Sequence, residues 1–310
     1  MKAYHSFPRA SHRYLIAENK DRVLTTVIGK IRVLYMWIVK YLPRKKLSKW
    51  VGRWAFTRFP KPIQNFINLS FAKHFGINLN ETEFPYYDYN SLGDFFIRRL
   101  KVGARPLGGA SLVHPCDSRI AEKGKIFNGR LLQAKGVDYS LEHLTQIENA
   151  MEKYDQGYFV TYYLSPKDYH RVHSPVDGMV TQMMYCTGDL WPVNDWSILN
   201  IPGVYTENER VYVEIATEKG PIGLVFVGAT NVGSIAIKFE KKLFTNWKVS
   251  AQNYTYQPPI EVKKGEEIGM FKMGSTIVAL FSPEWHQEFK NTMDTNTTVK
   301  MGQNFFSSAK

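Results

Sequence analysis

The chain has 310 residues, 44% hydrophobic and 14% aromatic, enough to bury one large core or two ordinary ones; this excludes an intrinsically disordered chain. Its two cysteines, Cys116 and Cys186, make neither a disulfide framework nor a C-x-x-C metal pair, which favours a reducing, cytoplasmic setting. The net charge of +12 is lopsided: residues 1–62 carry 15 Lys and Arg against 2 Asp and Glu, while the remainder carries a net −1. A basic arm of this kind meets an anionic surface, either nucleic acid or anionic lipid.

Residues 1–22 read as a loose extension. From Val23 the pattern turns helical, with Ile31, Leu34, Tyr35, Ile38, Tyr41 and Leu42 on one face until Pro43 ends it. After the basic run Arg44-Lys45-Lys46, a second apolar face is made by Leu47, Trp50, Val51 and Trp54. Beyond Pro60 and Pro62 a third is made by Ile63, Phe66, Ile67 and Phe71. No stretch reaches the roughly 20 apolar residues of a spanning helix. The best candidate, 23–42, is interrupted by Lys30, Arg32 and Lys40, and the first residues do not read as a secretory signal.

Short amphipathic helices that set Trp and Phe among Lys and Arg have the composition of segments lying in a bilayer interface. The alternative is a helical cap on the protein's own body. Nucleic acid is disfavoured as partner, because the cations are interleaved with large apolar groups and no nucleic-acid motif occurs. Residues 23–79 are therefore read as a basic membrane-association region, and 80–310 as one β-rich catalytic domain.

Within 80–310, short β-branched and aromatic runs punctuated by Gly and Pro predict strands over 160–164, 178–187, 211–217, 222–227, 234–240 and 276–281. One helix is expected over 141–154. The fold class predicted is α+β: N-terminal amphipathic helices followed by a mainly antiparallel β-rich core. No Gly-x-Gly-x-x-Gly follows a strand, so a dinucleotide fold is unsupported.

Three stretches could assemble around the Gly274-Ser275 step at the head of the last long strand. Read singly, each has a plain explanation. Gly-Ser is a turn former, Pro115-Cys116-Asp117-Ser118 is a turn, and the small residues of Val227-Gly228-Ala229 permit tight strand packing. His170 and His173 are too few for a metal site, and no metal is expected. Read together, Asp117, the histidine pair His170 and His173, and Ser275 offer the Asp, His and Ser of a nucleophile, base and orienter set.

The sequence resembles the bacterial membrane-associated phosphatidylserine decarboxylases. The resemblance rests on motifs in the expected order from about residue 30 to residue 303. They include Phe95-Phe96-Ile97-Arg98, Arg105-Pro106, Pro115-Cys116-Asp117, Leu132-Gln133-Ala134-Lys135-Gly136, Tyr163-Leu164-Ser165-Pro166, Asp168-Tyr169-His170-Arg171-Val172-His173 and Gly274-Ser275-Thr276. The family usually has Pro-Ala-Asp-Gly and Leu-Gly-Ser-Thr where this chain has Pro-Cys-Asp-Ser and Met-Gly-Ser-Thr; both keep the reactive residue.

The resemblance implies that the chain cuts itself between Gly274 and Ser275 into chains of residues 1–274 and 275–310. Ser275 becomes a covalent pyruvoyl group, the cofactor, and forms a Schiff base with the substrate amine. Asp117, His173 and Ser275 match the self-cleavage triad, and His170 is the candidate proton donor for turnover. The implied partners are phosphatidylserine, the anionic membrane and the two cleaved chains themselves, with a homodimer allowed. The implied location is the cytoplasmic side of the cell membrane, held peripherally. The competing readings are a pyruvoyl-dependent decarboxylase of another amino-acid-like substrate, a non-catalytic membrane-binding relative and, last, a nucleic-acid adaptor.

Overall fold

The computed structural model describes residues 43–310 except 132–137, 194–196, 199–200, 202, 231–233, 242, 244, 246–249, 273–274, 291 and 307–310, and it leaves aside the side chains of Arg44, Lys45 and Ser275. The loose extension, the helix predicted over 23–42 and the Leu132–Gly136 motif thus lie outside the described residues, as does Gly274. Residues Arg44–Lys310 form one compact unit.

Two helices open this unit, α1 (Arg44–Ala55) and α2 (Lys61–Phe75). α2 carries Pro62 in its first turn, where a missing N–H costs nothing, and ends at Gly76 in the left-handed conformation. Its buried stripe is Gln64, Asn68 and Ala72. Gln64 Nε2 donates to Asn68 Oδ1 at 2.8 Å, and Asn68 Nδ2 donates to the Tyr86 carbonyl at 2.9 Å. The amides are buried because they satisfy that loop. The apolar face is divided as a result: Phe71 packs edge-on against Phe96, 6.2 Å between centroids, in the direction of α3 (Leu92–Phe96), whereas Phe66 points outward at 71% exposure.

The body is a ten-stranded sheet in the order β10-β6-β7-β8-β12-β4-β1-β2-β3, with β13 also on β1. Its strands are β1 (Ser118–Phe127), β2 (Arg130–Leu131), β3 (Tyr139–Ser140), β4 (Tyr158–Leu164), β6 (Gly178–Cys186), β7 (Arg210–Ala216), β8 (Ile222–Val227), β10 (Gln252–Val262), β12 (Ser275–Phe281) and β13 (Thr298–Val299). A three-stranded sheet, β5 (Arg171–His173), β11 (Glu267–Phe271) and β9 (Ile235–Ile237), has β11 in its middle. All strand pairs are antiparallel.

The small sheet gives Val172, Ile235, Ile268 and Phe271 to the core on one face of the large sheet. On the other face lie α4 (Leu141–Thr145), α5 (Ala150–Tyr154) and α6 (Val204–Glu207), which contribute Leu141, Leu144, Tyr154 and Tyr205. Strand β12 runs between these layers. Ile277, Ala279 and Phe281 face the small sheet's side, and Val278 and Leu280 the helical side. This explains its near-continuous apolar sequence, since neither face meets water. It pairs along its whole length with β4, from Ser275 opposite Leu164 to Phe281 opposite Tyr158, and with β8 from Thr276 onward.

The antiparallel β-rich body and the α+β class are as predicted. The helix expected over 141–154 is broken, because Gln146 adopts φ 54° and caps α4 before α5 begins at Ala150. The strand expected over 234–240 stops at Ile237. Strands β1 and β10 were not foreseen. β10 contains Pro258 and Pro259 and lies at the sheet edge, the place where proline is tolerated.

Candidate active site

Asp117 sits at the end of the turn that leads into β1, 1% exposed. Arg105 Nε donates to both its oxygens, at 2.8 and 3.1 Å, and the backbone N–H of Met301 donates at 2.9 Å. Lys300 Nζ stands 3.2 Å away, and Arg105 Nη2 also donates to Glu81 Oε2 at 2.8 Å. Burial alone would raise the pKa of Asp117. The hydrogen bonds and charge of Arg105, helped by Lys300, outweigh it and hold the carboxyl below its ordinary value. Asp117 is thus a fixed anion.

His173 is the last residue of β5. Its backbone N–H donates to the carbonyl of Pro115 at 2.8 Å, which places it beside the Asp117 turn. Its ring Nδ1 lies 2.8 Å from the Gly265 carbonyl. A carbonyl only accepts, so Nδ1 carries the proton and Nε2 the lone pair. Gly265 has φ +79°, a left-handed turn that glycine alone adopts freely, and a Cβ there would come within 2.5 Å of Leu107. That turn aims the carbonyl at His173. Nε2 accepts from the Tyr169 hydroxyl at 3.2 Å. Burial lowers the pKa of His173, with partial compensation from the Gly265 bond and Glu267, so the ring is neutral.

His170 is wholly buried, 4.1 Å from the Phe96 ring by centroid. Its Nδ1 donates to the Asp168 carbonyl at 2.9 Å. Its Nε2 is buried and has no hydrogen-bond partner among the described residues. Burial pushes its pKa down to about 3. The loop that carries it is tied from outside by Arg98 Nη2, which donates to the carbonyls of Lys167 and Asp168 at 2.7 and 3.1 Å.

Ser275 is placed by its backbone, opposite Leu164, the residue at which β4 gives way to the histidine loop. Phe271 N–H donates to the His170 carbonyl at 3.1 Å. Phe271, at the end of β11, is thus tied to His170, and Ser275, at the head of β12, to the end of β4. His170 and His173 lie on the segment that leaves β4 at Leu164, the residue paired with Ser275. Asp117 reaches His173 through the Pro115 carbonyl. No side-chain hydrogen bond joins the two among the described residues, because the Asp117 oxygens are taken by Arg105, Lys300 and Met301.

Sequence reasoning did not single out Arg105, Lys300 or Tyr169 as site residues. Arg105 and Tyr169 stand inside motifs that carry the resemblance, so a signal existed. Lys300 meets Asp117 across 183 positions with no local pattern to mark it.

Tyr169 gives a pH-sensitive test. Burial pushes its phenol up to about 12, so it stays protonated and donates to His173 Nε2. A donor on the lone pair stabilises the neutral ring and lowers its pKa, and Tyr169→Phe removes it. The other charged groups facing the ring, Glu267, Arg171 and Asp117, are unchanged by the substitution. If His173 is the base of a self-cleavage at Ser275, Tyr169→Phe should move the rising limb of the cleavage rate against pH to higher pH by about half to one unit. The measurement is the rate of appearance of the small chain from freshly translated protein between pH 5 and 9; an unmoved limb counts against the hydrogen bond as drawn.

Comparison with known proteins gives the family. Residues 92–307 match the family model for phosphatidylserine decarboxylase. The phosphatidylserine decarboxylase proenzyme of Anaeromyxobacter sp. (strain K) is 39% identical over 255 residues, 81% of this chain and 90% of that one. Those of Psychromonas ingrahamii and Shewanella amazonensis are each 36% identical, over 91% and 90% of this chain and 98% of their own lengths. The chain belongs to the phosphatidylserine decarboxylase family, and it is an enzyme, a decarboxylase.

Proposed function

We propose that the chain decarboxylates phosphatidylserine to phosphatidylethanolamine at an anionic membrane surface, after cutting itself between Gly274 and Ser275. The observation that carries this reading is the unprotonated Nε2 of His173, held in a buried neutral ring on the segment that follows β4, whose last residue, Leu164, pairs with Ser275.

In the cut, His173 Nε2 takes the Ser275 hydroxyl proton, giving up Tyr169 as its partner. The hydroxyl oxygen attacks the Gly274 carbonyl carbon, the peptide C–N bond breaks, and the Ser275 nitrogen leaves as an amine. The backbone is now an ester. Loss of the Ser275 α-proton breaks the Cβ–O bond and releases residues 1–274 with a terminal carboxylate. The remaining dehydroalanine tautomerises, water replaces its nitrogen, and ammonia departs, which leaves a pyruvoyl group at position 275. Nucleophile and target are neighbours in the chain, so proximity supplies much of the acceleration. Asp117 acts as a fixed negative charge that favours the imidazolium formed in the first step.

The residues present fit such a group. His170 Nε2 is a buried acceptor with no partner among the described residues, on a residue whose carbonyl is bonded to the end of β11 at Phe271. A pyruvoyl group there supplies an electron sink for the pair left behind as CO2 departs. His170, neutral at physiological pH, takes a proton from solvent water at Nε2 and passes it to the substrate α-carbon as CO2 leaves. The Phe96 ring packs against it, 4.1 Å between centroids.

The membrane reading draws on the outer surface of α1 and α2. Trp50 is 65% exposed and Phe66 71%, among Lys46, Lys49 and Arg53. Large apolar side chains beside cations suit the interface of an anionic leaflet. No helix among the described residues is long and apolar enough to cross a membrane, so the attachment proposed is peripheral, on the cytoplasmic side. The test incubates the purified chain with vesicles containing phosphatidylserine. Phosphatidylethanolamine and CO2 should form, and Trp50→Asp with Phe66→Asp should weaken vesicle binding by about tenfold or more. Turnover of a soluble amino acid but not of vesicles would overturn the substrate, and unchanged binding would overturn the surface.

A further inference from the structure

A cleft of about 430 Å³ opens on the small sheet beside the β11 end. That volume is within the roughly 300–1,000 Å³ of small-molecule sites. Arg99, Arg171, Lys238, Lys241 and Lys272 line it, against only two carboxylates, Glu240 and Glu267. Two of the cations are already neutralised. Arg171 Nη1 donates to both oxygens of Glu267 at 2.9 Å, and Lys238 Nζ meets Glu266 at 2.8 Å. Arg99, Lys241 and Lys272 have no carboxylate partner among the described residues. The cleft therefore has an uncompensated positive charge.

Its position matters as much as its charge. Lys272 directly follows β11, stands three residues before Ser275, and its backbone N–H donates to the Ser234 carbonyl at 3.0 Å. Arg171 adjoins His170 in sequence, and its Nε is pinned to the Ile97 carbonyl at 3.1 Å. One wall of the cleft thus carries the residue that directly follows β11, and another the residue next to His170.

We propose that this cleft seats the phosphodiester oxyanion of the lipid headgroup, with Arg99, Lys241 and Lys272 as its partners and Arg171 as a fixed wall. The proposal rests on the decarboxylase reading above. A phosphodiester keeps its single negative charge at every physiological pH, and three free cationic side chains match it by charge-assisted hydrogen bonds. The phosphodiester is the same in substrate and product, and it lies outside the bond that breaks. Its binding energy is uniform along the reaction, so the cleft governs KM and leaves kcat nearly alone.

The experiment uses the full chain, wild type and the Lys241→Ala/Lys272→Ala double variant, with Lys272→Arg as the charge-keeping control. Calorimetry measures binding of glycerophosphoserine and, separately, of inorganic phosphate. Kinetics on phosphatidylserine in detergent micelles gives KM and kcat, and intact mass shows whether each sample is cut. Expected are a cut double variant, glycerophosphoserine binding weakened about tenfold or more, KM raised by a similar factor, kcat within about twofold, and near-normal binding by Lys272→Arg. Unchanged binding and KM in a cut double variant would overturn the cleft while leaving the decarboxylase reading intact. Inorganic phosphate bound as tightly as glycerophosphoserine by the wild type would overturn the headgroup assignment in favour of a free-anion site. An uncut wild type that makes no phosphatidylethanolamine would remove the reading underneath.

Discussion

Ser275→Ala will leave one uncut chain of 310 residues with no decarboxylase activity. The substitution removes the only atom at that position able to attack the Gly274 carbonyl and the source of the electron sink. It should not unfold the protein. Ser275 contributes its backbone to the first rung of β12, and Ile277, Val278, Leu280 and Phe281 behind it are each buried, worth about 1.5–3 kcal/mol apiece. His173→Ala should also stay uncut, or cut slower by about 10²–10⁴-fold, the usual contribution of a general base. Intact mass under denaturing conditions reads both variants. In the wild type it should resolve two chains, the smaller being residues 275–310 blocked at its first residue. The two should still travel together on a native column, because β12 is paired on both sides and Lys300 and Met301 bind Asp117 of the larger chain. A His173→Ala chain that cuts at the wild-type rate would sink the base assignment.

The fold was legible where periodicity and burial agree. The 222–227 and 276–281 runs are apolar throughout because both faces of their strands are covered, and both were found almost to the residue. β1 was missed since Glu122, Lys123, Gly124 and Lys125 break its pattern, although Ile120 and Ile126 are fully buried. Its placement is decided by partners far away in sequence, β4 and β13. α2 misleads in a different way. Its sequence puts Ile63, Phe66, Ile67 and Phe71 on one apolar face, and Ile63 and Phe66 are indeed exposed, whereas the buried positions, Gln64, Asn68 and Ala72, carry no apolar signal except Ala72. Two amides that serve a distant loop cannot be told from surface amides without the fold.

The site was legible as a set of residue types and not as a geometry. The motifs single out Asp117, His170, His173 and Ser275, but no local pattern says that Gly265 supplies the carbonyl that fixes the His173 tautomer, or that Arg105 and Lys300 surround Asp117. These contacts join positions 12 to 183 apart in the chain, and they exist only once distant segments are brought together by the fold. What they add is physical: they set which nitrogen holds a proton and which carboxylate stays charged.

His170→Ala should separate the two stages. The ring is held by Asp168 on one side and Phe96 on the other, and its lone pair at Nε2 is buried with no partner among the described residues. It is not the group that Tyr169 and Gly265 orient, so its removal should leave His173 able to start the cut. The variant is therefore expected to mature into two chains and then turn over about 10²–10⁴-fold more slowly than the wild type. Its pKa of about 3 fixes the sign of a second readout. A histidine that stays neutral until about pH 3 does not change charge between pH 5 and 8, so the wild-type turnover rate should show no ionisation of this group in that window. A single-turnover assay on the matured variant, with vesicles as substrate, gives the rate of the chemical step directly. An uncut His170→Ala chain would assign this ring to maturation, and a cut chain with wild-type turnover would leave the proton to another donor, with the Tyr169 hydroxyl that meets His173 the next candidate.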